Sequence, residues 1–508
     1  MDLQQPPMFG FAAVVVGLLV LYLYRTNQAW KYVPQEHQPG EWTVDQIKET
    51  YERLKRNPVD FTKLVPPRLG RRYVVVGGSG LVGGDIVLQL LARGESASSI
   101  RIVDFQPVTR HKMLQNGAGA CDYVKADISS IPSVEAAFSR PWPKAVAERP
   151  MTVFHTAASI RPAERKWIFY DRLRKVNVVG VANVLDVCRK HGADIFVYTS
   201  SASVGLWPLR VWNWPWQKCP KNHVQVYNED DFDKPLRPHN EYFSNYAYSK
   251  AESERLVSGA NSQSFRTGII RPGNGIYGGP TDVVMGLTVE VAKQGPVTSW
   301  SPHIIQNFVA SRNVSLGHLL FEAALAPPPN SNFKQEFKLP PCAGRPYIIT
   351  DPGLITFKSM YTLMSTISII KPFEFTYPPP VFLFIFAELI EAWCTLLYYT
   401  PGFIRNLPVM NKILIEPTSL LTNLQPAIFT PTSHTICDDS RARRSVADGG
   451  LGYKSGIESS LEGMVELMIE SNEHEERELR KLLGNGKGKG FKERIEEVVL
   501  PRPEPVGA

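Results

Sequence analysis

Arg72-Tyr73-Val74-Val75-Val76 leads directly into Gly77-Gly78-Ser79-Gly80-Leu81-Val82-Gly83. The first stretch is mostly β-branched, which favours a buried strand, and the glycines after it allow a tight turn. Gly77, Gly80 and Gly83 recur at every third position, between that strand and a helix predicted over 84–93. In such a unit a phosphate can approach the backbone where free N–H groups open the helix. The stretch therefore predicts a strand–turn–helix unit that binds a dinucleotide.

An acidic residue, Asp104, ends the next predicted strand. It stands 21 positions after Gly83, where a carboxylate can accept hydrogen bonds from both adenosine ribose hydroxyls. Because a carboxylate repels a 2′-phosphate, we expect NAD rather than NADP, a preference that Arg101 and Arg110 nearby would soften. Asp127, after the following strand, is expected either to bind the adenine amine or to cap a helix.

Strands and helices alternate after the glycine turn. Apolar stretches over 152–155 and 195–199 predict buried strands, and the segment over 176–191 between them has the length of a helix. Alternation of this kind produces parallel strands with helices on both faces of the sheet. We therefore predict an α/β fold, with a doubly wound Rossmann-type sheet over 71–275 and a smaller C-terminal substrate lobe over 276–483.

Residues 1–27 are predicted to form a transmembrane anchor. Met8–Tyr24 is apolar and uncharged, and at about 1.5 Å per residue it just crosses a hydrocarbon core of about 27 Å. Asp2 precedes the stretch, whereas Arg25 and Lys31 follow it, so the positive-inside rule places the rest of the chain in the cytosol. A cleaved signal would begin with basic residues and end with small ones. An uncleaved anchor in the endoplasmic reticulum is favoured, with a buried helix or a signal as alternatives.

A connector over 28–70 and a tail over 484–508 complete the predicted organisation. In the connector, Thr43-Val44-Asp45-Gln46 has the pattern of a capping box and predicts a helix through Arg56. An acidic amphipathic helix is predicted over 459–483. The glycine- and proline-rich tail after it is predicted to be disordered.

Two segments interrupt the alternation of strands and helices. Residues 206–232 contain four tryptophans and three prolines, and they predict a lid over the substrate site, a membrane-dipping loop or a packed structural insertion. Residues 378–399 are almost long enough to span a membrane, but they contain Glu388 and Glu391. A charge at mid-membrane costs about 2.5–3.5 kcal/mol. We therefore favour a monotopic hairpin or an interfacial helix here, with a core helix as the alternative.

The composition excludes several classes of function. The 508 residues are 43% hydrophobic and 21% charged, with a net charge of +7, which is typical of a globular protein. No cluster of basic and aromatic residues indicates nucleic acid as a partner, and the mild excess of positive charge favours anionic lipid instead. The six cysteines form no C-x-x-C pair and no histidine lies at zinc-ligand spacing, so we expect reduced thiols and no metal.

Tyr246-Ala247-Tyr248-Ser249-Lys250 is the second informative motif. Tyr246 and Lys250 are four positions apart and share one face of a helix. Oxidation of an alcohol needs a base for the hydroxyl proton, and a nearby ammonium lowers the pKa of a phenol towards that task. Tyr246 is predicted to be the acid/base, and Lys250 to bind the nicotinamide ribose and adjust Tyr246. Ser201, favoured over Ser200, ends a preceding strand and is predicted to hydrogen-bond the reacting oxygen.

With these motifs the chain resembles the 3β-hydroxysteroid dehydrogenase/isomerase family of the extended short-chain dehydrogenases/reductases, especially its decarboxylating sterol-4α-carboxylate branch. The similarity covers roughly residues 72–470, and the tryptophan-rich insertion lies outside it. The segments that support it are Tyr198–Val204, Ile270–Gly278, Gln306–Val309, Asn313–His318, Tyr347–Asp351, Leu424–Pro426 and Leu451–Tyr453.

The resemblance implies NAD-dependent oxidation of a sterol 3β-hydroxyl to a ketone, with loss of a C4 carboxylate where one is present. The resemblance also implies a membrane as a partner. It leaves open whether the protein forms a homodimer or a complex with other sterol enzymes. Two alternatives remain. One is a membrane-bound oxidoreductase of another lipid or terpenoid, including a 3β-hydroxysteroid dehydrogenase/Δ5-4 isomerase. The other is a non-catalytic NAD-binding scaffold, which retention of Ser201, Tyr246 and Lys250 argues against.

Overall fold

A parallel seven-stranded sheet is the centre of the computed structural model, which describes residues 8–280, 282–327, 338–370 and 372–482. The predicted tail over 484–508 and Asp2 lie outside the described residues. The strands are β1 Arg72–Val76, β2 Ile100–Asp104, β3 Asp122–Lys125, β4 Met151–His155, β5 Ala193–Thr199, β6 Val224–Tyr227, β7 Arg266–Pro272, β8 Ile276–Tyr277, β9 Val297–Thr298, β10 Ile305–Gln306, β11 Val309–Ala310, β12 Pro346–Ile349, β13 Ile355–Thr356, β14 Phe375–Thr376 and β15 His434–Cys437.

The α-helices of the described residues surround the sheet and build the second lobe. They are α1 Met8–Trp30, α2 Val44–Arg56, α3 Leu81–Ala92, α4 His111–Gln115, α5 Ile131–Ser139, α6 Tyr170–Arg174, α7 Gly180–Lys190, α8 Asn245–Gly259, α9 Met285–Ala292, α10 Ser311–Leu325, α11 Phe357–Ile367, α12 Pro380–Tyr399, α13 Gly402–Arg405, α14 Met410–Ile413, α15 Ser419–Thr422, α16 Ser440–Arg443 and α17 Ser460–Leu482.

The sheet order is β12-β7-β5-β4-β1-β2-β3, and every neighbouring pair is parallel. The chain moves outward from β1 to β3, returns to β4 on the other side of β1, and then continues outward to β12. The order therefore reverses between β1 and β4, and ligands of doubly wound sheets bind at such a switch point. The predicted doubly wound parallel sheet is confirmed.

Alternation along β1 divides the core into two layers. Val75 packs with α3 and α10 on one face of the sheet, whereas Val74 and Val76 pack with α5, α7 and α8 on the other. Apolar side chains fill both faces because a parallel sheet is covered on each side. The residues of β1 that precede the glycine turn are consequently buried, and the turn starts from a rigid base.

Two helix boundaries differ from the sequence prediction. The helix predicted over 84–93 begins earlier, at Leu81, because Gly80 already serves as its N-cap. The helix predicted over 176–191 is α7, and it is preceded by α6 and by a wider π-helical turn over Lys175–Val179. Hydrophobic periodicity does not reveal such a turn, which inserts one extra residue into an otherwise continuous helix.

The second lobe combines helices from distant parts of the chain. The capping box at Thr43 is present and starts α2, as predicted, and α2 packs against α11 and α17. A four-stranded sheet of order β13-β10-β15-β6 lies beside them. Strand β6 belongs to the tryptophan-rich segment over 206–232, so the second half of that segment is built into this sheet.

Helix α1 projects from the body and is held at its C-terminal end. Residues 10–21 are exposed, whereas Trp30 is fully buried against Phe429. Helices α1 and α12 are the two of the described residues that are long and apolar enough to cross a membrane, a criterion that core helices and signal sequences also meet. An apolar N-terminal helix is therefore present where the anchor was predicted.

Three histidines that are distant in sequence fasten the end of α1. Ring nitrogens of His223, His303 and His434 lie within 4.8 Å of one another. Nε2 of His303 lies 2.9 Å from the carbonyl oxygen of Trp30, and Nε2 of His434 lies 2.9 Å from that of Tyr32. Because Nδ1 of His434 accepts a backbone N–H of β10, both of its nitrogens are engaged. The cluster thus joins α1 to the second lobe, and the expectation of no metal site stays a prediction.

Helix α12 has a charged face and an apolar face. Glu388 and Glu391, which interrupt its apolar sequence, both accept hydrogen bonds from Arg165 at 2.9 Å. Glu391 is buried, whereas Phe382 and Leu389 are 61% and 62% exposed. The two carboxylates therefore face the sheet domain, and apolar side chains cover the outer face of the helix.

Candidate active site

The glycine turn closes over the end of β1. Gly77 has a φ of +83°, and a Cβ there would lie 2.6 Å from the backbone nitrogen of Ala157. A Cβ on Gly83 would collide with the carbonyl oxygen of Gly77, so only glycine lets α3 pack this close to the strand. Gly80 caps α3. The glycines thus leave a space in front of the N-terminus of α3 that a Cβ would fill. A dinucleotide pyrophosphate fits there, close to the backbone N–H groups that begin the helix.

Asp104 ends β2 beside this turn. Its Oδ2 accepts the backbone N–H of Ser79 at 3.0 Å, and its Oδ1 accepts that of Gln106 at 3.0 Å. The side chain is half-buried, and each carboxylate oxygen has further lone pairs for a ribose hydroxyl. A 2′-phosphate would meet negative charge here, so the turn and the carboxylate together fit NAD better than NADP.

The other charged residues expected near the cofactor lie in different environments. Asp127 follows β3, is exposed, and its Oδ1 accepts the N–H two residues later at 2.9 Å; its role toward adenine stays a prediction. Arg101 is fully buried and donates to Asp122 at 2.7 Å. Arg110 donates to the carbonyl oxygen of Leu81 at 2.9 Å. Of the two arginines, it is Arg110 that lies at the glycine turn.

Three side chains with acid/base chemistry meet at the C-terminal end of β5. Helix α8 begins after its N-cap Ser244 and carries Tyr246 and Lys250 one turn apart. Ser201, in the turn after β5, lies beside Tyr246 and donates to Oγ of Ser203 at 2.8 Å. Nζ of Lys250 donates to the carbonyl oxygen of Thr199 at 2.8 Å and lies 5.9 Å from the centre of the Tyr246 ring. The structure thus brings together the three residues that the sequence suggested as catalytic.

Burial changes both protonation equilibria at this cluster. It raises the pKa of Tyr246 to about 12, and the neighbouring hydroxyl of Ser201 works in the opposite direction. Burial also lowers the pKa of Lys250 to about 7, against which the negative charge of Glu254 favours the ammonium. Without a further positive charge, the phenol is therefore protonated at neutral pH, and Lys250 lies near its midpoint.

A buried ion-pair network lies beside this cluster. This network was not predicted from the sequence. Oε1 of Glu254, one turn after Lys250, accepts hydrogen bonds from Oγ of Ser200 at 2.5 Å and from Arg271 at 2.8 Å. Arg271 also donates to Asp231 at 2.6 Å. Ser200 is therefore occupied by this network, whereas Ser201 faces the phenol. A carboxylate four positions after the lysine was the one available signal, because both lie on one helix face.

Asn177 is a second residue that sequence reasoning missed. It lies in the π-helical turn before α7, and its Oδ1 accepts the backbone N–H of Ser159 at 2.8 Å. Its Nδ2 donates to Oγ of Ser249 at 3.0 Å, and its carbonyl oxygen accepts from Ser253 at 2.6 Å. Asn177 thereby fixes the helix that carries Tyr246 and Lys250 against the loop after β4.

Residues 74–372 match the family described as the 3-beta hydroxysteroid dehydrogenase/isomerase family, which is more than half of the chain. This chain belongs to that family. Membership of this family makes it an oxidoreductase that acts on CH–OH groups and uses NAD. The family resemblance inferred from the sequence is confirmed.

Two curated relatives of this chain share one enzyme name. The decarboxylating sterol-4-alpha-carboxylate 3-dehydrogenase of Schizosaccharomyces pombe is 28% identical over 381 residues, which cover 74% of this chain and 96% of that protein. The decarboxylating sterol-4-alpha-carboxylate 3-dehydrogenase of Homo sapiens is 27% identical over 54% of this chain and 64% of that protein. These alignments extend the similarity beyond the cofactor-binding half of the chain.

A solved structure supports the fold alone. The terminal R domain from the myxalamid PKS-NRPS biosynthetic pathway aligns with a TM-score of 0.50 and 16% identity, covering 85% of this chain and 98% of that chain. At this identity the similarity concerns the arrangement of strands and helices and does not extend to the substrate.

Proposed function

We propose that this enzyme oxidises the 3β-hydroxyl of a sterol to the 3-ketone with NAD, and that a carboxylate at C4 is then lost as carbon dioxide. The observation that supports the chemistry is the meeting of Ser201, Tyr246 and Lys250 at the sheet edge that carries the glycine turn. The names of the relatives in fission yeast and human support the choice of substrate.

Side chains of the protein bind the substrate hydroxyl and remove its proton. Ser201 hydrogen-bonds the hydroxyl oxygen of the substrate, and Tyr246 accepts its proton as a general base. Oxidised NAD supplies the hydride acceptor and a positive charge when it is bound. Lys250 holds a second positive charge beside Tyr246, and both charges favour the phenolate because they oppose the effect of burial on its pKa. The proton thus leaves the hydroxyl through Tyr246 as the carbonyl forms.

Loss of carbon dioxide needs no separate catalytic residue. Oxidation at C3 places a ketone in the β position to the carboxylate on C4. The bond between C4 and the carboxylate carbon then breaks, its electron pair passes to the ketone as an enolate, and carbon dioxide leaves. Protonation of the enolate at C4 completes the reaction, which therefore consumes one NAD and releases one carbon dioxide for each sterol.

We further propose that α1 anchors the enzyme in the endoplasmic reticulum membrane and that α12 lies at the membrane surface. Exposure of residues 10–21 supports insertion of α1, because an apolar helix is not stable in water. The pairing of Glu388 and Glu391 with Arg165 supports an interfacial position for α12, since its other face is apolar. A sterol substrate is itself dissolved in a bilayer.

Asp104 is proposed to select NAD over NADP. We expect Asp104→Ala to lower the ratio of kcat/KM for NAD to that for NADP, because the carboxylate that binds the ribose and repels the 2′-phosphate is gone. Asp127→Ala, at the end of the adjacent strand, serves as the matched control and should leave the ratio nearly unchanged. An unaltered ratio in Asp104→Ala would show that this carboxylate does not contact the ribose.

The test of the function is an assay of NADH formation by the full-length protein in detergent. The substrates are 3β-hydroxysterols with and without a 4α-carboxylate, and carbon dioxide is measured in parallel. Turnover with release of carbon dioxide from the carboxylates is the expected result. Turnover restricted to simple 3β-hydroxysterols would overturn the decarboxylation, and NAD binding without turnover on any sterol would overturn the choice of substrate.

A further inference from the structure

The tryptophan-rich segment contains a closed hairpin with aromatic side chains on its outside. The backbone N–H of Arg210 donates to the carbonyl oxygen of Lys221 at 3.0 Å, and Trp214 forms a turn with Gln217 through bonds of 2.8 and 2.9 Å. Trp214 and Trp216 are 65% and 74% exposed, and their rings stack with centroids 5.2 Å apart. We call residues 210–221 the tryptophan hairpin. Its backbone is folded, so the exposed indoles are held in place.

The tryptophan hairpin contacts both long apolar helices. Trp212 stacks on Tyr22 of α1 at 6.4 Å and meets Phe384 of α12 edge to face at 5.8 Å. The side chain of Arg25 donates to the carbonyl oxygen of Pro215 at 3.2 Å. The hairpin tip therefore lies at the level of Tyr22 and Arg25 along α1.

That level is the aqueous end of the apolar part of α1. The uncharged stretch from Met8 ends at Tyr24, and the next residue, Arg25, is charged. Tyrosine and tryptophan concentrate at membrane–water interfaces, where the ring is in a less polar layer and its N–H or O–H stays hydrated. The end of α1 is fixed to the body by the histidine cluster, so insertion of α1 would bring Trp214 and Trp216 to the same interface.

Charge around the hairpin fits an anionic surface. Residues 206–227 contain no aspartate or glutamate. Arg210, Lys218 and Lys221 are exposed. Glu241 lines the same cavity as Arg210 and Lys221, but within the part of the chain that the structure describes no ion pair of 4.0 Å or less joins the three basic residues to a carboxylate. Basic side chains that are close to a cytoplasmic membrane surface are attracted to anionic headgroups.

We propose that the tryptophan hairpin inserts into the headgroup layer of the membrane, with Trp214 and Trp216 at the interface and the basic side chains on anionic phospholipid headgroups. A lid over the substrate would need its aromatic tip to face the catalytic cluster, whereas this tip faces outward beside α1 and α12. The hairpin thereby makes a second membrane contact next to the anchor. This inference rests on the proposed insertion of α1.

The test reconstitutes the full-length protein in vesicles of phosphatidylcholine and phosphatidylserine, in which the phosphatidylcholine is brominated on its acyl chains near the headgroup. Bromine quenches indoles that lie in the bilayer. The fluorescence of W214F/W216F is subtracted from that of the natural protein to isolate these two tryptophans. The control is W142F, because Trp142 stacks on the buried Arg101 at the sheet and is outside the hairpin.

We expect the isolated signal of Trp214 and Trp216 to lose most of its intensity in brominated vesicles, and that of Trp142 to be retained. Equal retention of both signals would overturn the inference. Flotation of the natural protein with the vesicles is measured on the same samples, and its failure would contradict the anchor instead.

A kinetic readout separates membrane contact from a lid. We expect W214S/W216S to raise KM several-fold for sterol presented in vesicles, with kcat unchanged and with little effect in detergent. A loss of kcat in detergent as well would indicate that the tip closes over the substrate, and it would overturn the inference.

Discussion

At the scale of single residues, the phenol of Tyr246, which we propose as the general base, is surrounded by groups with opposing effects on its pKa. Burial favours the neutral form of Tyr246, whereas Ser201 and the ammonium of Lys250 favour the phenolate. We expect Tyr246→Phe to lower kcat by about 100- to 10,000-fold, because the general base is removed and the ring remains. NAD affinity, measured by the shift in thermal unfolding, should be retained. Near-normal turnover in this variant would contradict the assignment of the base.

Glu254 is expected to adjust Lys250 without contacting the substrate. Its charge raises the pKa of Lys250, which burial lowers to about 7, so Glu254→Gln should lower that pKa further. Less ammonium then faces Tyr246, whose pKa rises. The maximum of kcat/KM should therefore fall, and in its pH profile the limb set by Lys250 should move to lower pH and the limb set by Tyr246 to higher pH.

The pH profile distinguishes this role from a structural one. A variant that only reduced the amount of folded enzyme would scale the profile without moving its limbs. Glu252→Gln is the control, because Glu252 lies on the same helix but bonds Tyr170. We expect the limbs of its profile to stay in place. A Glu254→Gln profile that is only scaled would contradict the positioning role.

At the scale of elements, one arginine holds α12 against the sheet domain. Arg165 donates to Glu388 and Glu391, and Lys166 lies 3.8 Å from Glu391. We expect Arg165→Gln to destabilise the protein by about 1–3 kcal/mol, because Glu391 is buried and loses its main partner. The loss of stability should lie toward the lower end of this range, because the side chain of Arg165 is 39% exposed and water screens its charge.

A denaturation series in detergent measures this effect. Arg443→Gln is the matched control, since its side chain is also 39% exposed but pairs with Asp439, which is four positions earlier and is the N-cap of the same short helix. Pairs of that kind contribute about 0.3–0.5 kcal/mol. Equal losses in the two variants would show that the contact between α12 and the sheet domain is no stronger than a surface pair.

At the scale of the whole molecule, buried histidines make stability depend on pH. Burial lowers the pKa of His155 and His223 to about 3 and that of His318 and His434 to about 4. Below pH 6.5 the unfolded chain binds protons that the folded protein excludes. The contribution of these histidines to stability is therefore complete above pH 6.5 and falls as the pH decreases, by up to about 1.4 kcal/mol per pH unit for each histidine.

Carboxyls whose pKa is raised by burial partly offset this trend; they are Asp351, Glu229, Glu252 and Asp282. Burial raises the pKa of Asp351 to about 6, so between about pH 6 and 4 the folded protein takes up a proton that the unfolded chain does not. Between pH 6.5 and 5 all four histidines bind protons in the unfolded chain and not in the folded protein, so they outweigh the carboxyls and we expect the Tm to fall over this range in detergent. A constant or rising Tm over this range would contradict the neutral state of the buried histidines.

Much of the sheet domain follows from local patterns. The strand before Gly77 has its predicted bounds, and the next strand ends at Asp104 as predicted. A short β-branched run that ends in a turn or at an acidic residue favours a strand over other local structures. The pairing of Tyr246 with Lys250 also follows from one helical turn. Boundaries were less certain where local chemistry is ambiguous, as at the early start of α3 and at the π-helical turn before α7.

The doubly wound sheet, the glycine turn and the shared helix face of Tyr246 and Lys250 all follow from the sequence alone, because each is encoded in the alternation of strands and helices or within one local unit. Which distant groups meet depends on the packing of the whole chain: Glu254 with Arg271, the three histidines at the end of α1, and Trp212 with Tyr22. These contacts join elements far apart in the chain, so their geometry depends on how the layers pack, and periodicity within a segment contains no information about that packing.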